Sequence, residues 1–298
     1  MTALSERTRA EIALIGVTLI WGSTFVVVKS AIEQASTLVF LALRFSLGSM
    51  VLLLVFRHRL RVNPELRRMT LTGGVAAGAC LAAAYYFQTL GLRYTTPSKS
   101  AFITGLTAVM VPFLAAVVYR KAPRPAEGLG VGIATFGLAL LTLPSGHFAI
   151  GYGDALTLCC AVVFAGHILV LGRWAPVSSF ELLSFSQIAA TAVMMLLVCG
   201  WAEPTKAEWN WQLVSGVVIT GLFSTAIGFT VQAWAQRHTT PTRAALIFTL
   251  EPVAAAVTSY LVAGELLSGK AMIGAVLILT GVLLVELKPA GFGRHPLG

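Results

Sequence analysis

Charge is scarce in this sequence. Charged side chains make up 11% of it and only 12 residues are acidic, against 57% hydrophobic residues. A globular protein carries roughly 25% charged and 45–50% apolar residues, so too few polar side chains remain here to coat a water-facing surface, and a bilayer has to act as the solvent. The five histidines, His58, His147, His167, His238 and His295, are scattered and no H-E-x-x-H occurs, which removes the zinc-hydrolase arrangement. The four cysteines, Cys80, Cys159, Cys160 and Cys199, fall inside apolar segments without metal-ligand spacing such as C-x-x-C and read as small core residues. No G-x-x-x-x-G-K-[ST] is present, so ATP hydrolysis by this chain is not expected, and neither a metal nor a cofactor is called for. Long polar stretches are missing too. The longest gap between apolar segments is the twelve residues Arg57–Arg68, too short for a folded extramembrane domain.

What the sequence does have is long apolar runs. A hydrocarbon core of about 30 Å takes ~20 apolar residues of helix, and in lipid only helices or closed barrels satisfy their own backbone. On that rule the reading is an all-α integral membrane protein with ten transmembrane helices, near Ile12–Ile32, Leu38–Phe56, Met69–Leu92, Lys99–Tyr119, Ala126–Pro144, Tyr152–Gly172, Phe180–Gly200, Trp211–Gln236, Pro241–Ala263 and Gly269–Leu287. The first run follows Arg7 and Arg9 and lacks a small-residue cleavage site, so it reads as a span and not a cleaved signal.

The net charge of +9 does not point to nucleic acid, because the basic residues sit in short runs between apolar stretches, where anionic headgroups lie. Counted over alternate connections and leaving out Arg44, which lies within a span, fifteen Lys and Arg fall on the side of the N-terminus and five on the other. The positive-inside rule then puts both termini in the cytoplasm.

An internal repeat is the most informative feature. Gln88, Arg93, Thr95, Thr96 and Pro97 recur 144 residues later as Gln232, Arg237, Thr239, Thr240 and Pro241; Ala101 and Ile103 recur as Ala245 and Ile247, and Gly130 and Gly137 as Gly274 and Gly281. Pro112 and Pro252 are 140 apart, which implies a local shift of one helical turn and pairs Glu251 with Val111. The chain therefore divides into two five-helix units, 1–150 and 151–298, within one compact membrane domain. Five is odd, so the second unit enters the membrane from the opposite side, giving inverted repeats with a substrate site expected near the midplane.

Trp21-Gly22-Ser23-Thr24, Leu43-Arg44-Phe45, the two Thr-Thr-Pro triplets, Leu250-Glu251-Pro252 and the spacing of Gly274 and Gly281 together resemble the drug/metabolite transporter superfamily. More narrowly, residues 12–287 resemble the ten-span EamA-type exporters, and within them the aromatic amino acid exporters. The resemblance implies two inverted five-helix repeats in the bacterial inner membrane and export of amino acids, their metabolites or organic-cation drugs.

Several residues within the apolar runs carry chemistry that a span does not need. Glu251, mid-span before Pro252, is costly in lipid unless paired, hydrated or protonated; it is a proton or cation site, or a hydrogen-bonded carboxyl at a proline kink. Arg44 must snorkel, meet a carboxylate or face water, and its nearness to the span end favours a structural role at headgroup depth. His167 shares a helix face with Phe164, which suits either a pore position or a helix-to-helix hydrogen bond. Tyr85 with Gln88, and Phe229 with Gln232, stand at repeat-related positions; an aromatic ring beside an amide suits a cavity for planar or amphipathic solutes, or interhelical bonding. Trp21 and Phe102 complete the candidate substrate-binding set.

The resulting expectation is a secondary transporter exporting small metabolites by alternating access, not an enzyme. Its partners are a small-molecule substrate and the lipid bilayer, with no nucleic acid, and a monomer is compatible with it. A membrane-embedded enzyme is the first alternative, and would need a nucleophile and base or a metal cluster placed together. A channel or sensor is the second, and would conduct or bind without saturable exchange.

Overall fold

The computed structural model describes residues 4–95, 97–120, 124–142, 151–263 and 268–287. These are helical, joined by short turns, with one isolated antiparallel bridge between Ala35 and Ala207. In chain order the helices are α1 Glu6–Gln34, α2 Thr37–Phe56, α3 Pro64–Tyr94, α4 Pro97–Gly105, α5 Thr107–Tyr119, α6 Pro125–Thr142, α7 Tyr152–Trp174 and α8 Phe180–Val198. They continue with α9 Trp211–Ile219, a π-helical stretch Thr220–Ile227, α10 Gly228–Ala235, α11 Pro241–Phe248, α12 Glu251–Ala263 and α13 Gly269–Leu287. The helix starts follow the sequence chemistry. Asn63, Ser179, Asn210 and Thr240 accept a backbone N–H of the first turn with their side chains, and Pro64 and Pro241 stand where no amide is missed.

Among the described residues, six helical runs are long and apolar enough to cross a membrane: Glu6–Gln34, Thr37–Phe56, Pro64–Tyr94, Tyr152–Val177, Phe180–Val198 and Trp211–Ala235. Ile103–Tyr119, Pro125–Leu141 and Gly269–Leu284 are shorter apolar helices. Their outward faces carry Leu54, Val55, Phe113, Val117, Leu196 and Leu197, all exposed, which is the surface of a protein solvated by lipid.

Two predicted continuous spans are broken. Lys99–Tyr119 divides at Leu106, where the Leu106 amide bonds back three residues to Ile103, and Pro241–Ala263 divides at Thr249 and Leu250, whose amides bond back to Leu246 and Ile247. These tightened turns sit ahead of Pro112 and Pro252, which cannot donate to the helix ladder. α5 starts at Thr107 and α12 at Glu251, positions 144 apart in the sequence.

The interior is packed on small residues. A Cβ added to Gly137 would lie 2.6 Å from the Gly274 carbonyl oxygen, and one added to Gly281 would lie 2.6 Å from that of Gly130, so α6 and α13 touch backbone to backbone. Cys160 is buried as expected and Cys80 and Cys199 are half-buried, whereas Cys159 is exposed; adjacent helical residues point about 100° apart, so one of the pair faces outward. The junction at 150/151 adjoins residues 143–150, which lie outside the described set.

Candidate functional site

Helices from both parts of the chain enclose one cavity. It is lined by Trp21, Thr24, Phe25 and Val28 of α1, Arg44 of α2, and Tyr85, Gln88, Thr89 and Leu92 of α3. Thr104, Gly105, Thr107 and Ala108 reach it at the α4–α5 break, Phe164, His167 and Ile168 from α7, Phe229 and Gln232 from α10, and Ala245, Phe248 and Glu251 around the α11–α12 break. The space between atoms, open mouth included, is about 810 Å³.

Aromatic rings form its walls. Trp21 packs against Phe229 at 5.3 Å and edge-on to Phe248 at 5.2 Å, while Tyr85 meets Phe164 at 5.3 Å and Phe229 at 5.9 Å, between ring centroids. The π-helical stretch sets two of the polar contacts. Its Ser224 carbonyl accepts from Trp21 Nε1 at 2.8 Å, and its Thr225 hydroxyl accepts from Arg44 Nε at 2.8 Å. A widened turn at a functional position is a recurrent use of π geometry.

Arg44 is buried and turned inward. It is 3% exposed, donates from Nη2 to the Tyr85 hydroxyl at 3.3 Å, and holds its Cζ 4.5 Å from the centre of the Tyr85 ring. Depth along a span says nothing about which face a side chain takes, and this face is inward. Among the described residues no carboxylate is within ion-pair distance, and these bonds use two of the five guanidinium donors. Glu251 is the cavity's carboxylate. It opens α12, where the unpaired amides of a first turn favour negative charge, and its side chain makes no hydrogen bond among the described residues.

The amides divide between structure and cavity. Gln88 Nε2 donates to Thr104 Oγ1 at 3.4 Å, joining α3 to α4. Gln232 Nε2 donates to Gln236 Oε1 at 3.0 Å, and Gln236 in turn donates to the Ile168 carbonyl at 2.9 Å. That relay fixes Gln232, whose Oε1 is buried without a partner among the described residues. His167 Nε2 lies 3.0 Å from Gln187 Oε1 and its ring stands edge-on to Phe229 at 5.9 Å, so it joins two helices and lines the cavity at once.

Nine sequence candidates thus meet in one place: Trp21, Arg44, Tyr85, Gln88, Phe164, His167, Phe229, Gln232 and Glu251. Phe102 belongs to α4, and its side chain lies outside the described residues. Thr24, Thr104, Thr107 and Phe248 were missed. The repeat offered a signal for some of them, since Thr104 and Phe248 stand 144 apart, as do Thr24 and Ile168. Among the described residues no group of three His, Cys, Asp or Glu is placed to hold a metal.

Comparison with known proteins bears on what such a cavity serves. The model of the EamA-like transporter family matches residues 8–143 and again residues 153–287. The chain belongs to the EamA-like transporter family. It is similar to an uncharacterized transporter of Archaeoglobus fulgidus, 32% identical over 283 residues that cover 95% of this chain and 87% of the relative. It also resembles the uncharacterized transporter YoaV of Bacillus subtilis, 24% identical over 92% of this chain and 95% of that one. The uncharacterized inner membrane transporter YedA of Escherichia coli is 22% identical over 96% and 93%. A solved crystal structure superposes with a TM-score of 0.77 over 94% of this chain and 97% of its own at 20% identity, which speaks to the fold alone. As a member of this family the protein is a multi-pass membrane transporter.

Proposed function

We propose that this transporter is a secondary exporter of the bacterial inner membrane that moves amino acids, aromatic or other neutral ones, and organic cations by alternating access. One observation carries the reading: a guanidinium and a carboxylate, not paired with each other, share a cavity walled by aromatic rings. A zwitterion offers the complementary charges. Its carboxylate fits the free donors of Arg44, and its ammonium fits Glu251 and the unpartnered Gln232 Oε1. Trp21, Phe229 and Phe248 suit a planar side chain, and ring faces beside a carboxylate suit an organic cation.

Alternating access draws on the inverted repeat. Taking α4 with α5, α9 through α10, and α11 with α12 as one crossing each gives ten spans, five in 1–150 and five in 151–298. The contact of Gly137 with Gly274 becomes that of Gly281 with Gly130 when the halves are exchanged at the offset of 144, as a two-fold axis requires. The two matches to the family model support the same division. On this reading both termini are cytoplasmic, a monomer suffices, and the halves rock about the cavity.

The test is an efflux screen over amino acids and organic cations at two pH values, wild type beside Glu251→Gln. Saturable efflux of an aromatic amino acid is expected. Flux of none of these solutes would remove the substrate class.

A further inference from the structure

Thr95 and Thr239, which open the repeated Thr-Thr-Pro triplets, do not line the cavity, yet each rests on a buried carboxylate of the other half. Thr95 closes α3 and donates from Oγ1 to Asp154 Oδ1 at the start of α7; Asp154 is 3% exposed and its other oxygen accepts the Gly151 amide at 2.8 Å. Thr239, 144 residues further on, follows α10 and donates from Oγ1 to Glu11 Oε1 of α1 at 3.2 Å. Glu11 is 8% exposed and also receives Arg243 Nη1 at 3.2 Å. Exchanging the halves carries Asp154 to position 10, next to Glu11, so the two contacts are counterparts to within one residue.

Their positions give them a role. Lys29, near the far end of α1, donates to the Leu92 carbonyl at 2.8 Å, so α3 ends beside the C-terminal end of α1 while α10 ends beside its N-terminal end. Glu11 and Lys29 are eighteen residues apart in one helix, which puts the contacts about 27 Å from each other at opposite ends of the bundle. The cavity lies between them. Thr95 and Thr239 each stand seven residues beyond the cavity-lining Gln88 and Gln232, at the same height above and below it.

We infer that Thr95 with Asp154 and Thr239 with Glu11 are the two gate latches of the transport cycle, one closing each end of the cavity. The inference rests on the alternating-access reading. Each latch joins the two halves through a hydrogen bond to a carboxylate, an interaction that opening at its own end must break and opening at the other end preserves. Removing one latch therefore stabilises the state open at that end, and removing the other has the opposite effect. A structural role alone has no such opposed signature.

The experiment places a cysteine reporter at Thr24 in a background without the native cysteines. It compares labelling by a membrane-impermeant maleimide in right-side-out and inside-out vesicles. Asp154→Asn and Thr95→Val are expected to shift the ratio of labelling rates about tenfold toward the face where α3 meets α7, and Glu11→Gln and Thr239→Val by a similar factor toward the other face. The threonine variants keep side-chain shape and answer the question where a carboxylate variant fails to fold. Wild-type labelling from both faces with no opposed shift overturns the latches alone. A wild-type reporter reached from one face only, whatever solute is added, overturns alternating access and the latches with it.

Discussion

At the scale of single residues, the cavity's character comes from Arg44 being held by neutral partners. The Thr225 and Tyr85 hydroxyls fix the guanidinium without neutralising it, so its charge remains for a ligand. A lysine offers a point charge that cannot hold the Nε bond while lying over the Tyr85 ring. Arg44→Lys is therefore expected to raise the KM for an amino acid roughly tenfold, the worth of one charge-assisted hydrogen bond, with protein yield unchanged; an unaltered KM would show that guanidinium geometry is not used. Glu251 gives a second prediction. Lowering the pH protonates a carboxylate and removes its attraction for an ammonium, so apparent affinity for a cationic ligand falls toward low pH in wild type, while Glu251→Gln binds weakly with a flat profile. Binding titrations at a series of pH values measure both. Glu251 was legible in the sequence because a charge in an apolar run must be accounted for; the inward turn of Arg44 was not, since only packing decides which face a residue takes. Thr24 and Thr104 stand out only through the offset of 144 residues, since a threonine carries no mark of its own in an apolar helix.

At the scale of elements, irregular helix positions and close backbone approach shape the site. The breaks at Leu106 and at Thr249–Leu250 deliver Thr107 and Glu251 to the cavity, and the π-helical stretch delivers Ser224 and Thr225 to Trp21 and Arg44. Pro112 and Pro252 announced irregularity in the sequence without locating it, because the distortion falls on the turn before a proline and tertiary contacts choose the residue. Nothing in the composition of residues 220–227 announced the π geometry. The Gly137 contact makes a packing prediction. Gly137→Leu forces the α6 and α13 backbones apart and is expected to lower stability by about 1–3 kcal/mol, read as a lower melting temperature in detergent. Gly128→Leu, where an added Cβ meets nothing within 4 Å, is expected to change it little.

At the scale of the whole molecule, the account depends on two halves that share a cavity and pass the membrane in opposite senses. The offset of 144 residues was readable because the Thr-Thr-Pro blocks retain polar residues in an otherwise uniform apolar text. Which residues the halves bring together was only partly readable, as helix rotation is not written in hydropathy. Opposed threading places the two chain ends on one face, so cysteines introduced at Ser5 and Gly298 are expected to label from the same side of the membrane, and labelling from different sides would rule out opposed halves of five spans. The most direct test of the central claim is counterflow in proteoliposomes. Vesicles preloaded with an unlabelled aromatic amino acid should take up the labelled one transiently and saturably through the wild-type protein, and Arg44→Ala should abolish the overshoot. Uptake that neither saturates nor responds to preloading, or that survives Arg44→Ala unchanged, would contradict a carrier built around this cavity.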